Sequence, residues 1–174
     1  MIRNLLLAAA ASVSFAACST INDMGAPMSA AAMPLDARGY TAMAASSDMF
    51  EIESSRLALQ RSQNAQVRQF AQTMIQHHTS TTEQLMAAAR AAGVMPPMQM
   101  MPMHARMLQE LQASGTGMSF DAMYGRQQRM AHEQAVALHG NYAARGDTPA
   151  LRTVAAVATP LVRSHLQMTA NLPR

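Results

Sequence analysis

The chain has 174 residues and a formal net charge of +3, a length that suits one domain with a terminal addition and argues against a multi-domain enzyme. Hydrophobic residues make up 49% of it but aromatic residues only 4%, so the apolar content is mainly Ala, Leu, Met and Val. That composition favours helices over strands and argues against an all-β sandwich. All 13 basic residues are arginines scattered among 10 acidic residues, so we expect no nucleic-acid-binding face.

The first 17 residues have the pattern of an export signal. Arg3 supplies a positive charge, and the apolar stretch from Leu5 to Ala17 is too short to anchor the chain across a bilayer. The string FAAC, which ends at Cys18, resembles the bacterial lipobox, although Phe15 stands where Leu is usual. Since this single cysteine cannot form an internal disulfide, we predict a lipoprotein signal peptide at residues 1–17 and lipidation of Cys18. The alternative is ordinary cleavage after Ala17, which leaves a free thiol.

Lipidation would attach the protein to a membrane without a transmembrane helix. We therefore expect a protein on the periplasmic side of the cell envelope. Ser19, by resemblance to enteric lipoproteins, favours the outer membrane over the inner one. Residues 18–39 are rich in small residues, Pro and Gly and lack an apolar period, which predicts a flexible tether. No sequence feature indicates which protein partner the chain has.

Four long helical patterns follow the tether, from Tyr40 onwards. The pattern predicts helices over about 40–61, 65–92, 119–145 and 149–172, with a short helix over 104–113. In the second and fourth of the long helices, the residues of one face recur at spacings of three and four. Gly93 is expected to end the second helix and Ser119 to cap the third. Pro160 lies inside the fourth and is expected to kink it. Four helices joined by short breaks predict an all-α antiparallel bundle over residues 40–172.

Four strings within this region resemble a known family: FEIESSRLAL (50–59), VRQFAQTMIQHHT (67–79), FDAMYGRQQRMAH (120–132) and LVRSHLQM (161–168). As a set they are similar to the ferritin-like family of exported bacterial proteins catalogued as domain of unknown function 4142. The resemblance implies a ferritin-like four-helix bundle with the extra short helix in the Met-rich connection, and it implies no activity. The residues at the family's motif positions are Glu51, His78, Asp121, Tyr124, His132, Pro160 and His165. His77 departs from the family, which usually has Asp there.

Each long helix is expected to direct one polar, ligand-capable side chain into the bundle. His78 and His165 lie on the apolar faces of the second and fourth helices, and Glu51 lies among apolar residues of the first. Asp121, Tyr124 and His132 share one face of the third helix. We expect His77 to add little, since adjacent helical residues point apart.

Two hypotheses explain this inward cluster. In the first, it is a buried network, including Asp121 and Tyr124, whose polar groups satisfy one another and fix the helix register. In the second, it is a mononuclear site for a transition metal such as iron, manganese, zinc or copper. The metal ligands would then come from Glu51, His78, His132 and His165. The chain contains no E-x-x-H motif, which counts against a di-iron site.

A Met-rich segment, VMPPMQMMPMHARM (94–107), forms a separate candidate site. Thioethers are soft ligands that suit Cu(I), and the spacing of the methionines resembles that of periplasmic copper-binding motifs. The candidate Cu(I) ligands are Met95, Met98, Met100, Met101, Met103 and His104. The alternative is that these methionines fill apolar gaps between helices.

Three functional classes remain open. The interpretation that needs the fewest assumptions is a non-catalytic, exported envelope lipoprotein. The alternative is a periplasmic metal-binding or copper-tolerance protein that uses the inward His and Glu residues and the Met-rich segment. A degenerate ferritin-like oxidase is the third class, and the missing E-x-x-H motif weakens it. The sequence therefore leans away from an enzyme without deciding the question.

Overall fold

Five α-helices make up most of the computed structural model, which describes residues 33–174. They are α1 (Ala37–Arg61), α2 (Ala65–Ala91), α3 (Pro102–Ala113), α4 (Met118–Arg145) and α5 (Pro149–Met168), and a 3-10 turn at Thr169–Asn171 follows. No strand occurs within residues 33–174, so the all-α prediction is confirmed. The predicted signal peptide (1–17), Cys18 and residues 19–32 of the predicted tether lie outside the described residues.

Local sequence signals account for most of the helix ends. The Asp36 carboxylate accepts a hydrogen bond from the Gly39 backbone N–H at 2.8 Å, so α1 begins at Ala37, three residues before the predicted start. Asn64 caps α2 in the same way. Gly93, with a φ of 71°, follows the last turn of α2, as a glycine after a helix end often does.

The predicted N-cap of α4 is wrong. The helix begins at Met118, and its cap residue is Gly117, whose φ of 67° suits a glycine. The Ser119 hydroxyl is already inside the first turn and instead donates to the Ser114 carbonyl at 2.9 Å. Short connections of small and polar residues allow more than one residue to occupy the cap, which explains the error.

The four long helices form a square in which each helix is antiparallel to both of its neighbours. Tyr40, near the start of α1, hydrogen-bonds to His139 near the end of α4, whereas Ser55, late in α1, hydrogen-bonds to Tyr124 early in α4. Contacts also join α1 to α2, α2 to α5, and α4 to α5. The antiparallel four-helix bundle is therefore confirmed.

The diagonal helices α2 and α4 are parallel, so the chain between them must return along the length of the bundle. The short helix α3 lies in this connection, as predicted, and packs against α1 and α4. Near its start, His104 is hydrogen-bonded to Ser46 of α1. Further along, the Met107 carbonyl accepts a hydrogen bond from the Gln127 side chain of α4 at 2.8 Å.

Two apolar clusters occupy the two ends of the bundle. One contains Tyr40, Leu138 and Leu151, and the other contains Phe70, Phe120 and Leu172. Buried Met33 belongs to the first cluster, so the chain contacts the bundle already before α1 begins. The middle of the bundle contains a third, small apolar cluster around Phe50 together with the buried polar residues of the candidate site. None of the helices within residues 33–174 is long and apolar enough to cross a membrane.

Candidate metal centre

Three buried histidines from three helices meet in the middle of the bundle. His78 of α2, His132 of α4 and His165 of α5 are each at most 2% exposed. One ring nitrogen from each lies within 4.8 Å of one from each of the others. We call these three residues the histidine cluster.

The helical period places each histidine in the interior. His78 follows buried Met74 by four residues, His132 follows buried Gln128 by four, and His165 follows buried Val162 by three. Positions three or four apart lie on the same side of a helix, so all three rings point to the bundle axis. The sequence-based prediction that these histidines turn inward therefore agrees with the structure.

In each histidine of the cluster, one ring nitrogen is hydrogen-bonded and the other has no partner among residues 33–174. His78 Nδ1 donates to Asp48 Oδ1 at 2.7 Å, and His132 Nδ1 donates to the Gln128 carbonyl at 2.8 Å. His165 Nε2 lies 2.8 Å from His77 Nδ1. The nitrogens without a partner are His78 Nε2, His132 Nε2 and His165 Nδ1. A buried polar atom without a partner is costly, so these three atoms call for an explanation.

Burial keeps two of the three histidines neutral at pH 7. It lowers the pKa of His132 to about 3 and that of His165 to about 2, and the positive charge of His78 acts in the same direction. Burial also opposes a charge on His78, but the hydrogen bond and charge of Asp48 and the charge of Glu51 outweigh it and raise its pKa. The cluster therefore offers two neutral nitrogens next to an imidazole whose surroundings favour positive charge.

Asp48 holds His78 in place and is itself held. Its Oδ2 accepts hydrogen bonds from the Thr81 and Thr82 hydroxyls of α2, at 3.1 and 3.0 Å. A carboxylate behind the far nitrogen of a histidine fixes the ring and makes its other nitrogen a better donor to a metal. Asp48 was not among the predicted site residues. The signal that could have found it is its position three residues before Glu51, which puts both carboxylates on the same side of α1.

Glu51 is buried beside the histidine cluster but is not a member of it. Its Oε1 lies 3.7 Å from His132 Nδ1, the nitrogen that already donates to a carbonyl. Neither carboxylate oxygen has a hydrogen-bond partner within the described residues. Burial raises the pKa of Glu51 to about 7, against the opposing charge of His78. The ligand set proposed from the sequence included Glu51, whereas the group of possible ligands within the described residues contains only the three histidines, with Glu51 beside them.

His77 contacts the cluster, contrary to the expectation that it adds little. Its ring stacks on that of His165, with centroids 5.1 Å apart and an angle of 16° between the planes. Adjacent side chains of α2 do point apart, so His77 does not enter the cluster beside His78. His77 instead reaches His165 of α5 from the other side, and the pattern within α2 alone does not show where α5 lies.

Asp121 and Tyr124 are buried, but they lie nearer the end of the bundle than the histidine cluster does. The Tyr124 hydroxyl is hydrogen-bonded to Ser55 at 2.9 Å, and burial raises its pKa well above the usual value. Asp121 Oδ1 has no hydrogen-bond partner within the described residues. Tyr124 therefore ties α1 to α4, and neither residue contributes to the group of possible metal ligands.

The residues of the Met-rich segment do not come together in one place. Met95 and Met98 are 85% and 86% exposed, whereas Met101 and Met103 pack against the apolar cluster around Tyr40. His104 is buried, its Nδ1 lies 2.6 Å from Ser46 Oγ, and burial lowers its pKa to about 4. Met100 packs against the core near Phe50. Within this segment, only the first two candidate thioethers face solvent.

By its fold and its site, the protein is an all-α bundle whose interior holds three buried histidines. The chain belongs to the family described as domain of unknown function (DUF4142), whose model matches residues 23–172, and this confirms the resemblance noted in the sequence. A solved structure described as CopM in the Cu(II)-bound form is similar in fold, with a TM-score of 0.66 and 18% sequence identity. The match covers 79% of this chain and 95% of that one. No significant match was found among curated proteins.

Proposed function

We propose that this protein is a non-catalytic metal-binding protein of the cell envelope. It would hold one divalent transition-metal ion, with Cu(II) as the first candidate, at His78, His132 and His165. Two observations carry the proposal. One ring nitrogen of each buried histidine lacks a hydrogen-bond partner within residues 33–174, and one ring nitrogen of each lies within 4.8 Å of one from each of the others.

The chemistry of these donors fits a late transition metal. Imidazole nitrogens suit copper, zinc, nickel and iron, and Cu(II) binds most strongly of the divalent series at a given nitrogen site. Metal–nitrogen bonds are about 2.0–2.1 Å long, so two ligand atoms on one ion are at most about 4.2 Å apart. Closing the cluster from 4.8 Å requires side-chain shifts of less than about 1 Å.

The surroundings also support a bound cation. Asp48 stabilises positive charge on His78, and the Gln128 carbonyl fixes the tautomer of His132 that leaves Nε2 free. The fold neighbour CopM was solved with Cu(II) bound, which makes copper the first metal to test. Asp48 and Glu51 stand outside the ligand group, so the described residues supply no bridging carboxylate pair of the di-iron kind.

A lipid anchor at Cys18 would place this bundle on the periplasmic side of the envelope. The proposal rests on the export-signal pattern and the FAAC string. Exported proteins meet metal ions outside the cytoplasm, so the location and the candidate site are compatible. A bundle that holds one ion in its interior fits storage, buffering or delivery of the metal better than turnover of a substrate.

Thermal unfolding with and without metal tests the proposed site. Added Cu(II) at about 100 times its Kd should stabilise the untagged wild-type protein by about 2.7 kcal/mol, because only the folded state holds the ion. For a chain of this size that raises the Tm by about 5–10 °C. His165→Ala should show no such rise. His139→Gln, a buried histidine outside the cluster, is the matched control and should keep it. An equal rise in wild type and His165→Ala would refute the proposal.

We also propose that Met95 and Met98 take Cu(I) at the surface, because both thioethers are exposed and the two residues are three apart in the sequence. Under reducing conditions, the double variant Met95→Leu/Met98→Leu should bind less Cu(I) than wild type. Met118→Leu, 88% exposed elsewhere, is the matched control and should bind as wild type does. Unchanged Cu(I) binding in the double variant would remove this second candidate.

A further inference from the structure

A cavity of about 120 Å³ lies beside the histidine cluster and is lined by residues of α1, α2, α4 and α5. At its outer rim, Val157 of α5 is 59% exposed. On its inner side the wall includes His77 and Asp48. The cavity therefore extends from the surface to the layer of side chains that surrounds the cluster.

Each of these two inner-wall residues is hydrogen-bonded to a histidine of the cluster. His77 Nδ1 is paired with His165 Nε2, and Asp48 Oδ1 is paired with His78 Nδ1. The cluster histidines themselves are at most 2% exposed and do not line the cavity. One side chain thus separates the cavity from the nearest ring of the cluster.

Much of the cavity lining is apolar, and its groups that can attract or bind a cation are the Asp48 carboxylate and the imidazoles of His77 and His139. No arginine lines the cavity. His77 is half-buried, whereas the cluster behind it is fully buried. A partly exposed imidazole is a suitable first ligand for a metal ion that leaves water.

We propose that metal ions enter the cluster through this cavity and that His77 both receives the ion and closes the path behind it. The inference rests on the proposed metal site. In the closed state, His77 is held by its stacking and its hydrogen bond on His165. Rotation of its ring away from His165 opens the path, and its ring nitrogen can bind the ion before the buried histidines do. His77 then governs the rate at which ions reach the cluster.

Stopped-flow measurements on the wild-type protein give the uptake rate from the Cu(II)–imidazole absorbance and the release rate into excess EDTA. His77→Phe keeps a ring against His165 but has no ligand atom, so it should slow uptake by about tenfold; Kd should rise as well, because the variant also loses the hydrogen bond on His165. His77→Asp restores a group that binds cations and should recover fast uptake. Gln76→Phe, at the exposed neighbouring position, is the control and should exchange as wild type does.

A second pair of variants tests the cavity without touching His77. Val157→Trp fills the rim and should slow uptake, whereas Ala156→Trp, exposed on α5 outside the cavity lining, should not. If wild type takes up Cu(II) but both His77→Phe and Val157→Trp match its rates, the route is wrong and the metal site stands. If His77→Phe only speeds release and weakens binding, His77 is a ligand and not a gate. If wild type takes up no Cu(II), the site and the route are both refuted.

Discussion

Asp48 connects three side chains of α2 to α1 through one buried carboxylate. It accepts from His78 on one oxygen and from Thr81 and Thr82 on the other. Its negative charge favours positive charge on His78, whether a proton or a metal ion supplies that charge. Asp48 is therefore a positioning residue for the proposed site.

We expect Asp48→Asn to weaken Cu(II) binding by about 10- to 100-fold, because the amide can still accept from His78 but carries no charge. Competition titration with a chelator of known affinity measures the change. Glu53→Gln removes an exposed carboxylate of the same helix and serves as the control, with binding expected at the wild-type level. Wild-type affinity in Asp48→Asn would show that Asp48 does not tune the cluster.

The sequence carried enough information to find the three histidines but not their environment. His78 and His165 lie on apolar faces of their helices, and His132 shares a face with Asp121 and Tyr124, so the helical period alone turns them inward. Asp48 and His77 are assigned to the site only by contacts between helices, through hydrogen bonds to His78 and His165. Such contacts depend on the relative rotation and height of two helices, which the pattern within one helix does not specify.

Two glycines of the same helix, α4, differ in what surrounds them, so substitutions there distinguish the effect of helix propensity from the effect of packing. A Cβ at Gly125 would collide with the Pro173 carbonyl oxygen and would lie 3.2 Å from Leu172 Cβ. A Cβ at Gly140 would meet nothing within 4 Å. Gly125 therefore allows the C-terminal residues to pack on α4, whereas Gly140 has no such role.

We expect Gly140→Ala to stabilise the protein by about 0.5–1 kcal/mol, because alanine has the better helix propensity. Gly125→Ala gains the same propensity, but the collision costs about 1–3 kcal/mol more. Urea unfolding of both variants gives this difference directly, since the gain in propensity cancels between them. Equal free energies of unfolding in the two variants would mean that the C-terminal residues do not pack on α4 as described.

The helices themselves were predictable, and their ends less so. The four long helices and the short helix of the Met-rich connection appear where the sequence indicates them. Ser119 failed as a cap because neighbouring Gly117 already provides the positive φ at which the chain turns into α4. A helix face is read from many residues, whereas a helix end depends on one or two.

In the whole molecule, the polar side chains buried between the two apolar ends of the bundle need hydrogen-bond partners or a ligand. One ring nitrogen of each histidine in the cluster lacks a partner within the described residues. A polar group buried without a partner costs about 1–3 kcal/mol, so a structure that keeps three of them together is best explained by a ligand that binds all three.

The predicted lipid anchor at Cys18 concerns where in the cell the whole protein lies. If Cys18 carries the lipid, Cys18→Ala should move the protein from the membrane fraction to the soluble periplasmic fraction, because the acyl chains supply the attachment. Immunoblotting of fractionated cells measures the distribution, and Ser19→Ala serves as the neighbouring control. A Cys18→Ala protein that stays with the membranes would place the attachment elsewhere.

The central claim is that one ion binds to His78, His132 and His165, and electron paramagnetic resonance of the Cu(II)-treated protein tests it most directly. Imidazole nitrogens bound to copper split its resonance, so we expect the wild-type spectrum to show couplings from three nitrogens at one Cu(II) per chain. His132→Phe keeps a ring in the same space and should lose this spectrum. A wild-type spectrum without nitrogen couplings, or one that His132→Phe leaves unchanged, would contradict the account.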